Sequence, residues 1–389
     1  MQTKIIITTL IFLISCGDNT SFSKKEKSEL YNSNLESILV NSASNWPDIN
    51  LNEDNTSSIR SANIKVTTPL PSSMGAIGDS MSRAALSTLT PNDAGKLLTY
   101  VKLFGIGISG IFRKSQAANV PGASWTTGEG IKIRKKTGSH KRKRYVTVLK
   151  KVVNSHKNKI ESLSNTKIKY HNVAQSGNSS RHLKEQTERL NIWSKKTLKK
   201  PFPDYITVLI GGNDICSKES DHGDKMTDVD RFYDRIYESI NQILTSSETS
   251  KILLVSVPNV EILKKTAENH RLPFLSKSFA KVLPKINKVS TCKEMWENVV
   301  SSLCANVMLD EREFVREIIK KRIIDYNTVL EEVAFTAQEK FGDRIRYSDK
   351  LYNYNFKTSE LAMDCFHPNI NGQNTISDLT WQDSWWADR

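Results

Sequence analysis

The chain has no Cys-x-x-Cys pair, and its seven histidines are scattered. That argues against a structural zinc site, which gathers close pairs of such ligands. No internal repeat is visible. The apolar run Ile5-Ile6-Ile7-Thr8-Thr9-Leu10-Ile11-Phe12-Leu13-Ile14 is too short to cross a bilayer, which takes ~20 residues. Acidic residues are missing altogether from 132–151, a stretch that holds ten Lys or Arg. Aromatics are not scarce. Seven Trp, thirteen Phe and eleven Tyr can furnish a sizeable core, which excludes wholesale disorder.

What is present reads as an exported globular protein. The 389 residues carry 56 Lys+Arg against 42 Asp+Glu, a formal charge of +14. Such a balance favours anionic partners. Lys4 precedes the short apolar run, as in a signal peptide, and Leu13-Ile14-Ser15-Cys16 closes it. Residues 16–70 are rich in Ser, Asn, Lys and Glu and predict a poorly ordered tether. From about residue 71 onward, apolar strand-like runs alternate with helical patterns, which predicts a parallel sheet with helices on both faces. The strands are expected near 74–77, 167–172, 205–210, 251–257 and 344–347. Helices are expected over 80–89, 146–160, 181–196, 228–244, 311–341 and 370–386. The stretches near 91–150 and 259–310 read as insertions in one catalytic domain. Gly105-Ile106-Gly107-Ile108-Ser109-Gly110 matches a dinucleotide fingerprint by letter only, since no strand precedes it and no helix follows.

The candidate chemistry lies at the ends of these strands. Gly78-Asp79-Ser80 follows the first strand, where an open α/β sheet exposes reactive side chains. A serine that attacks an ester needs a base within hydrogen-bond reach and fixed donors for the oxyanion. His367 is the best base. Asp364, three residues earlier, can share its turn and hold the imidazole in one tautomer. Alone, a histidine before Pro368 would be an ordinary surface residue. Gly177 ends a strand-like segment and offers a backbone N–H with no side chain in the way. Asn213 follows the most apolar strand, in Ile210-Gly211-Gly212-Asn213-Asp214, and offers an amide N–H. Asp214 reads as a cap or turn residue rather than a catalytic acid.

In that order, Ser80, Gly177, Asn213 and His367 resemble the four invariant positions of the SGNH (GDSL-type) hydrolases. The Gly122-Ala123-Ser124-Trp125 loop, the Gly-Gly-Asn-Asp-Ile-Cys run and Asp364-Cys365-Phe366-His367 before a Trp-rich helix are similar to the phospholipase B branch. The resemblance spans residues 70–389. It implies a flavodoxin-like α/β/α sandwich with a central parallel sheet of about five strands, and hydrolysis of lipid acyl esters without metal or organic cofactor. It makes Ser80 the nucleophile within a Ser80–His367–Asp364 triad. The Ser80 and Gly177 N–H groups and the Asn213 side chain form the oxyanion hole. Met81 stands where Leu is usual, and Asn178-Ser179-Ser180 replaces an Ala-rich block. Leu-Ile-Ser-Cys resembles the bacterial lipobox, implying cleavage after residue 15, lipidation of Cys16 and a place in the cell envelope.

Expected partners are a lipid ester, most plainly a phospholipid or lysophospholipid, and an anionic membrane surface contacted through 132–151, with no nucleic acid. A carbohydrate O-deacetylase or short-chain esterase fits the same scaffold, since fold does not fix substrate. A polyanion-binding envelope lipoprotein without catalysis is the alternative outside enzymes. Four cysteines remain after Cys16, and in an exported protein they predict two disulfides. Cys292 and Cys304 lie twelve positions apart, while Cys216 and Cys365 adjoin the two site motifs. The expected pairs are therefore Cys216–Cys365 and Cys292–Cys304.

Overall fold

A computed structural model of the chain describes residues 68–87, 119–137, 144–216, 225–272, 289–298 and 304–389. The signal segment 1–15, Cys16, nearly all of the tether, residues 91–118 and the Gly105–Gly110 match lie outside the described residues. So do Lys141, Arg142 and Lys143.

Five parallel strands form the central sheet: β1 (Ser73–Gly78), β4 (Lys169–Asn172), β5 (Tyr205–Leu209), β6 (Lys251–Val255) and β7 (Ile345–Ser348). Their order across the sheet is β4-β1-β5-β6-β7. In chain order that is 2-1-3-4-5, the flavodoxin-like arrangement, with its switch point between β1 and β5. Every residue of β1 and β5 is buried, as are four of the five in β6. This is why β5 (Tyr-Ile-Thr-Val-Leu) and β6 (Lys-Ile-Leu-Leu-Val) read as near-continuous apolar runs rather than alternating ones.

Helices cover the sheet. They are α1 (His156–Ser164), α2 (Leu183–Leu198), α3 (Gly212–Ile215), α4 (Val229–Ser246), α5 (Val260–Ala267), α6 (Cys292–Asn298), α7 (Ala305–Met308), α8 (Glu313–Phe341) and α9 (Ile370–Trp381). α4 begins at Asp228, whose carboxylate accepts from the N–H groups of Asp230 and Arg231. α9 begins at Asn369 in the same way, bonded to Asn371 and Gly372. α2, α4 and α8 pack in one layer, with α2 against β1 and α8 against β6 and β7. Strand β1 and helix α2 approach closely at Gly75, where a larger residue would make the Leu190 side chain shift. A Cβ on Gly75 would meet Leu190 of α2 at 2.8 Å.

Two local expectations fail. Residues 81–87 turn without forming a helix, and Ala84 and Leu86 have φ of 53° and 56°. The Ser82 carbonyl accepts from Ser124 and Asn172, and the Met81 carbonyl accepts from Gln373 as well as from the Ala84 N–H in a tight turn. The second failure is the helix expected over 146–160. Residues Arg144–Lys150 form β3, paired antiparallel with β2 (Ile131–Thr137) in a separate two-stranded sheet. Helix α1 starts only after Ser155, whose hydroxyl accepts from the Asn158 N–H. Val146, Leu149 and Val153 have helical spacing, but Tyr145-Val146-Thr147-Val148 is as good a strand, and pairing with β2 decides between them.

Candidate active site

The site stands outside the carboxyl ends of β1, β4 and β5, at the switch point. Gly78 ends β1 at φ 151°, and a Cβ there would lie 2.3 Å from the Leu209 carbonyl. Gln186 of α2 clamps it from both sides, accepting from Gly78 N (2.8 Å) and donating to Gly78 O (2.9 Å). The chain is therefore held firmly just before it turns out at Asp79 and Ser80.

The Asp364–His367 loop meets that turn from the other end of the sequence. With the imidazole neutral, Ser80 Oγ donates to His367 Nε2 at 2.9 Å, and His367 Nδ1–H donates to Asp364 Oδ2 at 2.6 Å. Asp364 is fully buried, and its other oxygen accepts from the Phe366 and His367 N–H groups. The Ala362 N–H bonds the His367 carbonyl at 2.7 Å, which closes the loop on itself. Burial alone would push His367 down. The charge and hydrogen bond of Asp364, with the charge of Asp79, overcome that and hold it above the ordinary histidine value.

Asp79 lies buried beside the serine. Burial lifts its carboxyl to about 7, and nearby Asp214 pushes the same way, against the Met81 N–H bond and the His367 charge. Near neutral pH this carboxyl and the imidazole therefore feel each other's protonation.

The two other strand ends supply donors. Gly177 has φ 82°, and no atom lies within 4 Å of the place a Cβ would take, so its surroundings are open and its backbone demands glycine. Asn213 Nδ2 donates to the Asn178 carbonyl at 2.9 Å. An amide carries two N–H donors, and that bond uses one. Asp214 ties the same two loops from below. It accepts from Ser180 N (2.8 Å), Ser180 Oγ (2.6 Å) and Thr227 Oγ1 (2.8 Å), which agrees with its reading as a turn residue.

Beside Ser80 lies a narrow recess of about 30 Å³, lined mainly by apolar residues, among them Met81, Val260, Leu263, Phe356 and Phe366. Among the described residues no group of His, Cys, Asp and Glu side chains converges as a metal site. The Gly122–Trp125 loop does not enter the recess. It props the serine turn from behind, through Ser124 Oγ to the Ser82 carbonyl and the Trp125 N–H to Gln373. Gln186 and Gln373 carry no motif, and only their burial in the fold reveals them.

The expected disulfide pairs are wrong. The bonds are Cys216–Cys304 and Cys292–Cys365. Cys292 and Cys304 do not close a small loop, because one opens α6 and the other caps α7. Each reaches a different site loop. Cys365, at φ 59°, is buried against α6, whereas Cys216 adjoins the recess.

The GDSL-like lipase/acylhydrolase family model matches residues 74–380. Human acyloxyacyl hydrolase is 22% identical over 227 residues, covering 55% of this chain and 37% of that one. The chain thus spans little more than a third of that relative's length. Among solved structures, a mutant acetyl-xylooligosaccharide esterase from Geobacillus is 14% identical with a TM-score of 0.40, covering 82% of this chain and 97% of the other. TesA is 12% identical with a TM-score of 0.37, covering 79% and 96%.

Proposed function

Because the chain belongs to the GDSL-like lipase/acylhydrolase family, we propose that it is a serine esterase whose substrates are lipid acyl esters, phospholipids or lysophospholipids, in the manner of the phospholipase B branch. The observation that carries the lipid reading is the apolar lining beside Ser80. A sugar would call for polar groups there, while an acyl chain gains by leaving water. The name of the human relative, acyloxyacyl hydrolase, points the same way.

In this reading Ser80 Oγ attacks the ester carbonyl as its proton passes to His367 Nε2. Asp364 holds the imidazole and stabilises the imidazolium. The oxyanion meets the Ser80 and Gly177 N–H groups and the second Asn213 amide proton. His367 returns the proton to the departing alcohol, then draws one from water to release the acyl group.

The narrowness of the recess favours a second reading, a short-chain esterase or carbohydrate O-deacetylase. A p-nitrophenyl ester series separates the two. Each carbon that enters the recess is worth ~0.8 kcal/mol, roughly fourfold in kcat/KM. A rise beyond acetyl, together with fatty acid release from lysophospholipid, supports the lipid reading. Activity on acetyl esters alone supports the deacetylase, and no turnover supports a binding protein.

In this reading the enzyme works at a membrane surface of the bacterial envelope, a proposal supported by the lipobox-like Cys16 and the basic ribbon. β2 and β3 with their connection hold nine of the ten basic residues in 132–151, all but Lys151. Each Lys or Arg near an anionic surface is worth ~1 kcal/mol. The effect fades as the Debye length falls from ~10 Å at 0.1 M salt to ~3 Å at 1 M. Without its first 66 residues, the enzyme is expected to hydrolyse anionic vesicles faster at low salt while a soluble ester shows little change. Replacing Lys141, Arg142, Lys143 and Arg144 with Gln should remove that difference. A full salt response in the variant would make the ribbon an ordinary solvated face.

A further inference from the structure

Two short helices each touch one half of the site, and both are joined to α5: α7 packs against it and α6 is bonded to the residues that follow it. Helix α6 begins at Cys292, which is bonded to Cys365 between Asp364 and His367. One turn on, fully buried Trp296 donates its Nε1–H to the Asp364 carbonyl at 3.0 Å. Helix α7 is capped by Cys304, which is bonded to Cys216, three residues after Asn213. Two residues on, buried Asn306 donates to the Ile215 carbonyl at 2.8 Å. Each helix therefore holds one site loop by a covalent bond and by a side-chain N–H to a backbone carbonyl. α6 is tied in turn to the end of α5, by the Cys292 N–H to the His270 carbonyl and the Lys293 N–H to the Glu268 carbonyl.

We infer that α6 and α7 form a positioning strap that sets the placement of His367 relative to Asn213, with Trp296 and Asn306 as positioning residues at its two ends. The inference rests on the esterase reading above. Neither positioning residue touches the reacting atoms. Each acts through the loop it holds, and Asp364, fully buried, has no room to compensate for a shifted backbone. Misplacement of catalytic groups by ~1 Å can cost ~100-fold in rate, so a small slackening at either end reaches kcat.

The two ends should fail differently. Three groups act on the His367 imidazole: Asp364 on its own loop, and Asp79 and Ser80 from the end of β1. Loosening Asp364 weakens the interaction that raises His367, so the imidazole becomes less basic. The base must be neutral to accept the Ser80 proton, so the acid limb of kcat/KM then moves to lower pH. Loosening the Asn213 loop leaves His367 as it is and weakens only the grip on the oxyanion.

The test is a pair of variants assayed on a soluble ester. Trp296→Phe keeps most of the ring and removes the N–H. It is expected to lower kcat about tenfold or more, leave KM within about twofold, and move the acid limb to lower pH. Asn306→Ala is expected to lower kcat with the acid limb in place, and to weaken binding of a trifluoromethyl ketone by the same factor as kcat. Cys292→Ser with Cys365→Ser should reproduce the Trp296→Phe signature, which covers the case in which that variant does not fold. Variants that melt earlier but keep the wild-type kcat and acid limb would overturn the strap and leave the esterase reading intact. An identical signature at both ends would also overturn it. The esterase reading fails separately, through absence of wild-type turnover.

Discussion

Ser80→Ala is expected to lower kcat by ~10⁶-fold on any ester the wild type hydrolyses, the order of loss that follows removal of a triad serine. The hydroxyl proposed to attack is the one 2.9 Å from His367 Nε2, and no other hydroxyl is bonded to that nitrogen among the described residues. Without it, neither the covalent intermediate nor the proton transfer to the imidazole can occur. What survives is the oxyanion donors and substrate binding, which still give ~10³–10⁴-fold over water. The fold should not notice the change. The turn is held by backbone bonds from Ala85 to the Ser80 carbonyl and from Arg83 to the Asp79 carbonyl, and by the Gln186 clamp on Gly78. Activity and far-UV circular dichroism on the same preparation check this. Turnover near wild type in a folded variant would remove Ser80 from the mechanism.

The parts of this molecule that were legible in advance are those fixed by short-range sequence. β5 and β6 announce themselves because strands buried on both faces must be continuously apolar. The long helix α8 and the capped α4 show by periodicity and by Asp228. The Ser80, Asp364 and His367 contacts follow from motifs that each sit on one turn. The rest depends on what meets what across the chain. Whether 144–150 is strand or helix is decided by β2, not by its own residues. The carbonyl of Ser82 could have closed a helical turn, had Ser124 and Asn172 not been brought to it from two other segments. The cysteines make the point most sharply. Adjacency to a site motif says where a sulfur's backbone lies and not which way it faces. Cys365, left-handed at φ 59°, is bonded to α6 even though Asp364 before it holds His367 and Phe366 after it lines the recess beside Ser80.

Asn213→Ala is expected to cost ~10²–10³ in kcat with little change in KM. The amide is a donor whose second proton is directed by its surroundings, because the first is committed to the Asn178 carbonyl at 2.9 Å. A donor fixed in advance costs no reorganisation when the carbonyl oxygen takes on charge, so its effect belongs to the transition state. Deletion has one structural consequence, since the Asn178 carbonyl loses its partner on the loop that carries Gly177. A single such bond is worth about 1 kcal/mol, and the loop keeps a second tie. Asp214 still accepts from Ser180 N and Ser180 Oγ, and Arg235 donates to that same hydroxyl. The melting temperature should therefore change little while kcat falls steeply. Binding of a trifluoromethyl ketone, which forms the tetrahedral oxyanion on Ser80, should weaken in proportion to kcat, and binding of the fatty acid product should not. If KM rises instead and the ketone binds as before, Asn213 holds the ground-state substrate, and the oxyanion rests on the backbone N–H groups of Ser80 and Gly177 alone.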